Sequence, residues 1–94
     1  MGRVSMKEEG GRLFTVDVKA AKGAIESVRI TGEFFANPEG LVDLMEMALQ
    51  GVKLEPEFVM QAIAGAIMVY RGNLIGIRAS NLVTAIVRAG TLAD

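Results

Sequence analysis

Hydrophobic and polar residues alternate through the first third of the chain, a pattern typical of β-strands. In residues 14–18 every second position is apolar, and residues 28–34 keep this spacing with a glycine at one position. Glycine-containing segments at residues 8–11 and 21–23 are expected to be turns. The pattern therefore predicts a three-stranded antiparallel meander with one buried face. Ile25 has the wrong parity for that face, which predicts a bulge or a late strand start.

Apolar residues recur at helical spacing in the remainder of the chain. Asn37 and Pro38 are suited to cap and begin a first helix, and Gly51 is suited to end it. Pro56 is expected to open a second helix over residues 56–70, which is apolar almost all round. An element with two apolar sides must be buried on both, by this chain or by a partner.

The last quarter of the chain contains a break and a final helix. Residues 74–77 are expected to be a short extended piece, followed by an amphipathic helix that starts at Arg78 or Ser80. Strands followed by helices predict an α+β fold. It comprises a three-stranded antiparallel β-meander followed by about three helices packed on one face, within a single domain of residues 1–94.

The chain is rich in apolar residues for its length of 94 residues, with a hydrophobic fraction of 51%. This surplus fits either a dry core or a surface meant for another protein. The net charge is −1, from 10 basic and 11 acidic residues, and the basic residues form no run. Nucleic acid is therefore not expected as a partner.

Side chains suited to catalysis are scarce. The chain has no cysteine and no histidine, which removes thiolate nucleophiles, the commonest general base and the commonest transition-metal ligand. Asp43 and Glu46 share one helix face, as metal ligands do, but a solvated face is the simpler interpretation of this spacing. The sequence thus predicts no catalytic residue, no metal site and no cofactor site on this chain alone.

The longest apolar run, residues 58–70, is also short for a membrane span. As a helix it is about 20 Å long, less than the thickness of a bilayer core. The first residues lack the apolar stretch of a signal peptide. The chain is therefore expected to be cytoplasmic.

Residues 30–40, "ITGEFFANPEG", place two phenylalanines next to each other at the end of a strand. Adjacent strand residues point to opposite faces, so one core does not easily bury both rings. Gly32 indicates a bulge or a close backbone approach. In one interpretation Phe34 fills the core and Phe35 folds over the edge of the first helix. In the other, Phe35 anchors a partner, with Glu33 as a charge at the rim.

Three segments of the chain resemble the small C-terminal domain of lipoate–protein ligases, and especially its free-standing form as a separate accessory subunit. They are "GGRLFTVDVKA", "IESVRITGEFFANPEGLVDLMEMALQGVKL" and "LIGIRASNLVTAI". The match spans most of residues 11–90. Its sharpest element is a strand that ends in Gly-acid-Phe-Phe and is followed by proline and an amphipathic helix. The matching residues are Gly32, Glu33, Phe34, Phe35 and Pro38.

The resemblance implies a division of labour between two chains. In this family a large domain binds lipoate and ATP with Mg²⁺, carries the essential lysine and forms lipoyl-adenylate. It then transfers lipoate to acceptor domains of 2-oxoacid dehydrogenase or glycine cleavage proteins. The small domain is needed for the adenylation half-reaction. This chain is then expected to be the non-catalytic subunit of a two-chain ligase, without activity alone, and we place its interface with the large subunit on the matching residues.

One alternative from a different class remains open. The chain is then a self-associating structural or regulatory α+β module without a ligase partner. In that case the doubly apolar helix over residues 56–70 forms a homodimer.

Overall fold

The computed structural model describes residues 1–93 and contains five strands and three helices in that range. In chain order they are β1 (Gly2–Lys7), β2 (Leu13–Ala21), β3 (Ala24–Gly32), β4 (Phe35–Asn37), α1 (Leu41–Leu49), α2 (Pro56–Val69), β5 (Asn73–Ile75) and α3 (Ala79–Ala93). The first three strands form an antiparallel sheet in the order β1-β2-β3, and β4 pairs with β5 in a second, two-stranded sheet. The predicted α+β fold is therefore confirmed.

The β2–β3 hairpin turns through Lys22 and Gly23, whose φ angles of 56° and 74° are both positive. Two-residue hairpin turns with positive φ match the twist of the strands that they join. The pairing register then shifts between Lys19, which faces Ser27, and Ala20, which faces Ile25. One residue of β3 is left over, so the bulge expected near Ile25 is confirmed, and Ile25 is 1% exposed.

The core lies between one face of the larger sheet and the three helices. Helix α3 packs on β1 and β2, α1 packs against β3, and α2 packs against both other helices. From β2 the core receives Phe14, Val16 and Val18, all fully buried. The helices contribute buried residues at helical spacing: Leu41, Met45, Leu49, Val59, Ile63, Ala66, Leu82, Val83, Ala85, Ile86 and Ala89. Across residues 1–93, none of the helices has the length and apolar content that a membrane span requires.

The predicted start of the first helix is wrong. Asn37 does not cap α1, because it is the last residue of β4 and pairs with Asn73 of β5. Pro38 follows through a cis peptide bond, and its carbonyl oxygen accepts a hydrogen bond from the Leu41 amide at 3.0 Å. The helix begins only after Gly40, whose φ is 87°. Pairing with a distant strand thus overrides the local capping preference of an Asn-Pro pair.

The other helix boundaries follow the sequence signals. Gly51, with a φ of 83°, follows Gln50, which caps the end of α1, and Pro56 is the first residue of α2. Residues 73–75 form the short extended piece. Of the two possible starts for the final helix, Arg78 is the better one, since its carbonyl accepts a hydrogen bond from the Leu82 amide at 3.1 Å.

Glu46 does more than occupy a solvated face, which corrects the sequence-based interpretation. Its Oε2 accepts a hydrogen bond from the backbone amide of Ile30 at 2.7 Å. Ile30 lies in β3, an edge strand of the sheet. Further along the same strand, the carbonyl of Ile25 accepts from Gly51 at 2.7 Å and its amide donates to Val52 at 2.9 Å. Helix α1 and the segment after it therefore satisfy this edge, which would otherwise be open to pairing.

We expect Glu46→Ala to lower the free energy of unfolding by about 1–3 kcal/mol, because it removes a charged acceptor from a strand amide. Glu46→Gln keeps a carbonyl acceptor and should lose less. Asp43→Ala, on the same helix but exposed, serves as the control and should cost less than about 1 kcal/mol. Chemical denaturation measures all three, and an equal loss for the two alanine variants would contradict the role of Glu46.

Candidate partner interface

The chain leaves the larger sheet at Gly32, where the backbone of β2 comes very close. A Cβ atom at this position would lie 2.6 Å from both the carbonyl oxygen of Leu13 and the Cα of Phe14. The φ of Gly32 is 153°, a conformation that residues with side chains rarely adopt. The close backbone approach expected at this glycine is therefore present, and it sets the direction in which the next residues leave the sheet.

Glu33 continues the contact with β2 after the regular pairing ends. Its amide donates to the carbonyl of Leu13 at 2.8 Å, and its Oε1 accepts from the Leu13 amide at 3.2 Å. Its own carbonyl accepts a long, 3.5 Å hydrogen bond from the guanidinium of Arg12. Glu33 is exposed, as a rim residue would be, but its carboxylate also fixes the start of β2.

The two phenylalanines of the motif are separated as their parity indicates. Phe34 is half-buried and packs against the core, whereas Phe35 is 69% exposed. Phe35 does not lie on the outer face of β3, because it begins the new strand β4, where it stands directly opposite Ile75 of β5. Ile75 is itself 50% exposed. Cross-strand neighbours share one side of a sheet, so the two side chains form an exposed apolar pair.

Gly72 and Gly76 flank β5 at positions where a side chain would come too close to neighbouring residues. The sequence analysis did not identify this feature. A Cβ at Gly72 would lie 2.7 Å from the carbonyl oxygen of Asn37. A Cβ at Gly76 would lie 3.0 Å from the side chain of Arg12, and its φ is 101°. The signal available in the sequence was the pair of glycines that encloses "NLI".

These contacts join five residues into one region, which we call the corner surface: Arg12, Leu13, Glu33, Phe35 and Ile75. Leu13 is 43% exposed and adds to its apolar area. Of the motif residues, Gly32 and Glu33 position this region and Phe35 lies on it. Phe34 packs beneath, and Pro38 is exposed in the turn beyond the far end of β4.

A second exposed apolar region lies along α1 and α2. Val59, Ile63 and Ala66 bury one side of α2, but Met68 is 78% exposed and Val69 is 73% exposed. A shallow groove between the two helices is lined mainly by apolar residues: Leu44, Met47, Ala48, Ala62, Ala66, Val69 and Tyr70. The second apolar side of α2 is thus left partly uncovered. We call this region the α1–α2 groove.

The carboxylates of α1 do not come together as a metal site. Glu46 is bonded to the Ile30 amide, and Asp43 points to solvent from the same helix. Within residues 1–93, no three acidic side chains are close enough to hold a metal ion.

Comparison with known proteins finds a solved structure with a similar fold. No protein-family model matches the sequence, and no curated protein does. Among solved structures, the chain matches the small accessory subunit of a bi-partite lipoate protein ligase from Thermoplasma acidophilum. The TM-score is 0.72, and the match covers 90% of this chain and 96% of that chain at 21% sequence identity. The two chains share one fold. The resemblance that was drawn from the sequence is thereby confirmed at the level of structure.

We expect Gly32→Ala to lower the free energy of unfolding by about 2–5 kcal/mol, because the added methyl group meets backbone atoms and the φ angle disfavours alanine. Gly65→Ala is the matched control. Gly65 lies in α2 with no atom within 4 Å of the added Cβ, so alanine should stabilise the protein by about 0.5–1 kcal/mol. Thermal and urea unfolding compare the two, and an unchanged stability in Gly32→Ala would contradict the close approach.

Proposed function

We propose that this chain is the non-catalytic accessory subunit of a two-chain lipoate–protein ligase. The observation that carries the proposal is the shared fold, which extends over nearly the full length of both this chain and the accessory subunit from Thermoplasma acidophilum. The ligase of that organism is described as bi-partite and was analysed together with its E2 lipoyl domain. A role in protein lipoylation is the function that this likeness supports best.

In this proposal the large catalytic subunit carries the chemistry. It binds ATP, Mg²⁺ and lipoate and forms lipoyl-adenylate in the cytoplasm, then modifies acceptor domains of 2-oxoacid dehydrogenase or glycine cleavage proteins. The present chain binds none of these by itself. Its contribution is to order loops of the large subunit and to exclude water from the adenylate, which raises a rate without supplying a reacting group. A chain without histidine or cysteine suits this role.

The corner surface is our candidate for the contact with the large subunit. Binding energy usually concentrates in a few aromatic anchors that become buried and are surrounded by polar residues. Phe35 is the most exposed aromatic residue of the described chain, and it has Ile75 beside it and Glu33 and Arg12 at the edge. Gly32, Phe34 and Pro38 act by holding the strand that presents Phe35.

An adenylation assay tests the proposed function. The candidate large subunit is supplied with ATP, Mg²⁺ and lipoate, and lipoyl-adenylate formation is measured with and without this chain. We expect strong stimulation by the chain and no activity of the chain alone. Absence of stimulation at saturating concentrations would remove the proposal.

A substitution at Phe35 tests the contact itself. Phe35→Ala should raise the dissociation constant for the large subunit by about tenfold or more, because it deletes a buried anchor in the complex. The isolated chain should keep its melting temperature, since Phe35 is 69% exposed. Met68→Ala, at a position that is 78% exposed but outside the corner surface, is the control and should bind normally. A much lower melting temperature in Phe35→Ala would show that Phe35 belongs to the core.

The α1–α2 groove favours the second candidate function, a self-associating module. The exposed groove residues Met47 and Val69, together with the neighbouring Met68, would be covered in a homodimer built on α2. Light scattering of the chain, alone and with the large subunit, separates the two functions. A stable homodimer that is indifferent to the ligase, and that Met68→Glu dissociates, would favour the module.

A further inference from the structure

One face of the larger sheet points away from the helices, and no residue in the described range covers it. Alternation along three strands defines this open sheet face, because the helices pack only on the opposite side. Its residues are Arg3, Ser5, Lys7, Leu13, Thr15, Asp17, Lys19, Glu26, Ser27, Arg29 and Thr31. It is polar throughout except for Leu13, where it meets the corner surface.

Charge on the open sheet face is strongly one-sided. It holds four cations, Arg3, Lys7, Lys19 and Arg29, all of them exposed, and two carboxylates, Asp17 and the bulge residue Glu26. Asp17 stands between Arg3 and Arg29 in the strand register. The Nε of Arg3 donates to its Oδ1 at 2.6 Å, and its side chain is only 16% exposed. The charge of Asp17 is therefore paired within the face. Four cations against two carboxylates leave this face with a charge of +2, on a chain whose net charge is −1.

Most acidic residues of the described range lie outside the open sheet face. Five of them belong to α1, α2 and the segments that lead into these helices: Glu39, Asp43, Glu46, Glu55 and Glu57. Three further acids lie close to the open sheet face, and each has a partner. Glu8 accepts a hydrogen bond from Asn81 of α3, Glu9 pairs with Arg78, and the carboxylate of Glu33 is bonded to the Leu13 amide. Charge is thus segregated between the two sides of the molecule, as at surfaces that select a partner of complementary potential.

We propose that the open sheet face is a docking surface for an acidic protein surface. A protein fits it better than a nucleic acid does. The four cations form no continuous basic run that could follow a phosphate backbone, and no aromatic side chain is available there for bases to stack on. Ser5, Thr15 and Thr31 form a row of hydroxyl groups that can donate hydrogen bonds to carboxylates, although Ser5 and Thr15 already share one hydrogen bond at 2.8 Å.

The size of the face indicates a weak and transient contact. Three strands of about six residues cover about 300 Å², given the usual strand spacing and rise. Stable complexes bury about 800 Å² on each partner. Binding through this face is therefore expected to depend on charge and to weaken steeply with salt. The inference is independent of the proposed ligase function, since it rests only on the charges and register of this chain.

The test uses the full chain, labelled with ¹⁵N, and poly-L-glutamate as an acidic probe. At low ionic strength, amide shifts should change along β1, β2 and β3, and the affinity should fall at least tenfold on going to about 0.15 M salt. The variant Lys7→Glu/Lys19→Glu should weaken binding by about tenfold or more. These two lysines are exposed and leave the Arg3–Asp17 pair intact.

The control is Lys53→Glu/Arg88→Glu, which gives the same net charge but changes exposed residues outside the open sheet face. It should retain binding within about threefold. Thermal unfolding checks that both variants fold. If Lys7→Glu/Lys19→Glu does not fold, the single variant Lys19→Glu is tested in its place. Equal losses in the two variants, or shift changes that map to the helices, would overturn the proposal. Tighter binding of a DNA or RNA oligonucleotide through the same residues would overturn it as well.

Discussion

The buried face of the central strand governs the arrangement of the whole molecule. Phe14, Val16 and Val18 are fully buried, and burying each such side chain contributes roughly 1.5–3 kcal/mol. The sheet cannot cover them itself, so α3 lies over β1 and β2, α1 lies against β3, and α2 closes the layer behind them. Because all three helices are used on this side, the opposite face of the sheet stays open. The placement of the helices therefore determines which surfaces remain available to partners.

The corner surface follows from the end of the same sheet. Where the alternation of β3 stops, Gly32 passes so close to β2 that the chain must turn away, and the next strand forms in a new sheet. Phe34 stays against the core, and Phe35 is carried outward. Two of its five residues, Glu33 and Phe35, belong to one short motif, but Arg12, Leu13 and Ile75 come from other parts of the chain. Only folding makes them neighbours.

Other parts of the chain form hydrogen bonds with the outer edge of β3, and this limits how a partner can bind there. Glu46 accepts from the Ile30 amide on one side of the bulge, and residues 51–53 bond to Ala24 and Ile25 on the other side. A partner strand cannot add at these positions. What remains is an apolar corner suited to a lasting contact and a basic face suited to a transient one, and the two meet at Leu13.

Local pattern determined most elements of this protein, with the exceptions of the strand β4 and the start of α1. Alternation specified the meander and its bulge at Ile25, and parity separated the two phenylalanines, because these features depend only on near neighbours along the chain. The pairing of Asn37 with Asn73, the bond from Glu46 to Ile30 and the open face with its excess of cations were decided by the tertiary structure. Each joins residues that are far apart in sequence. No local preference encodes which distant backbone group will come within hydrogen-bonding distance.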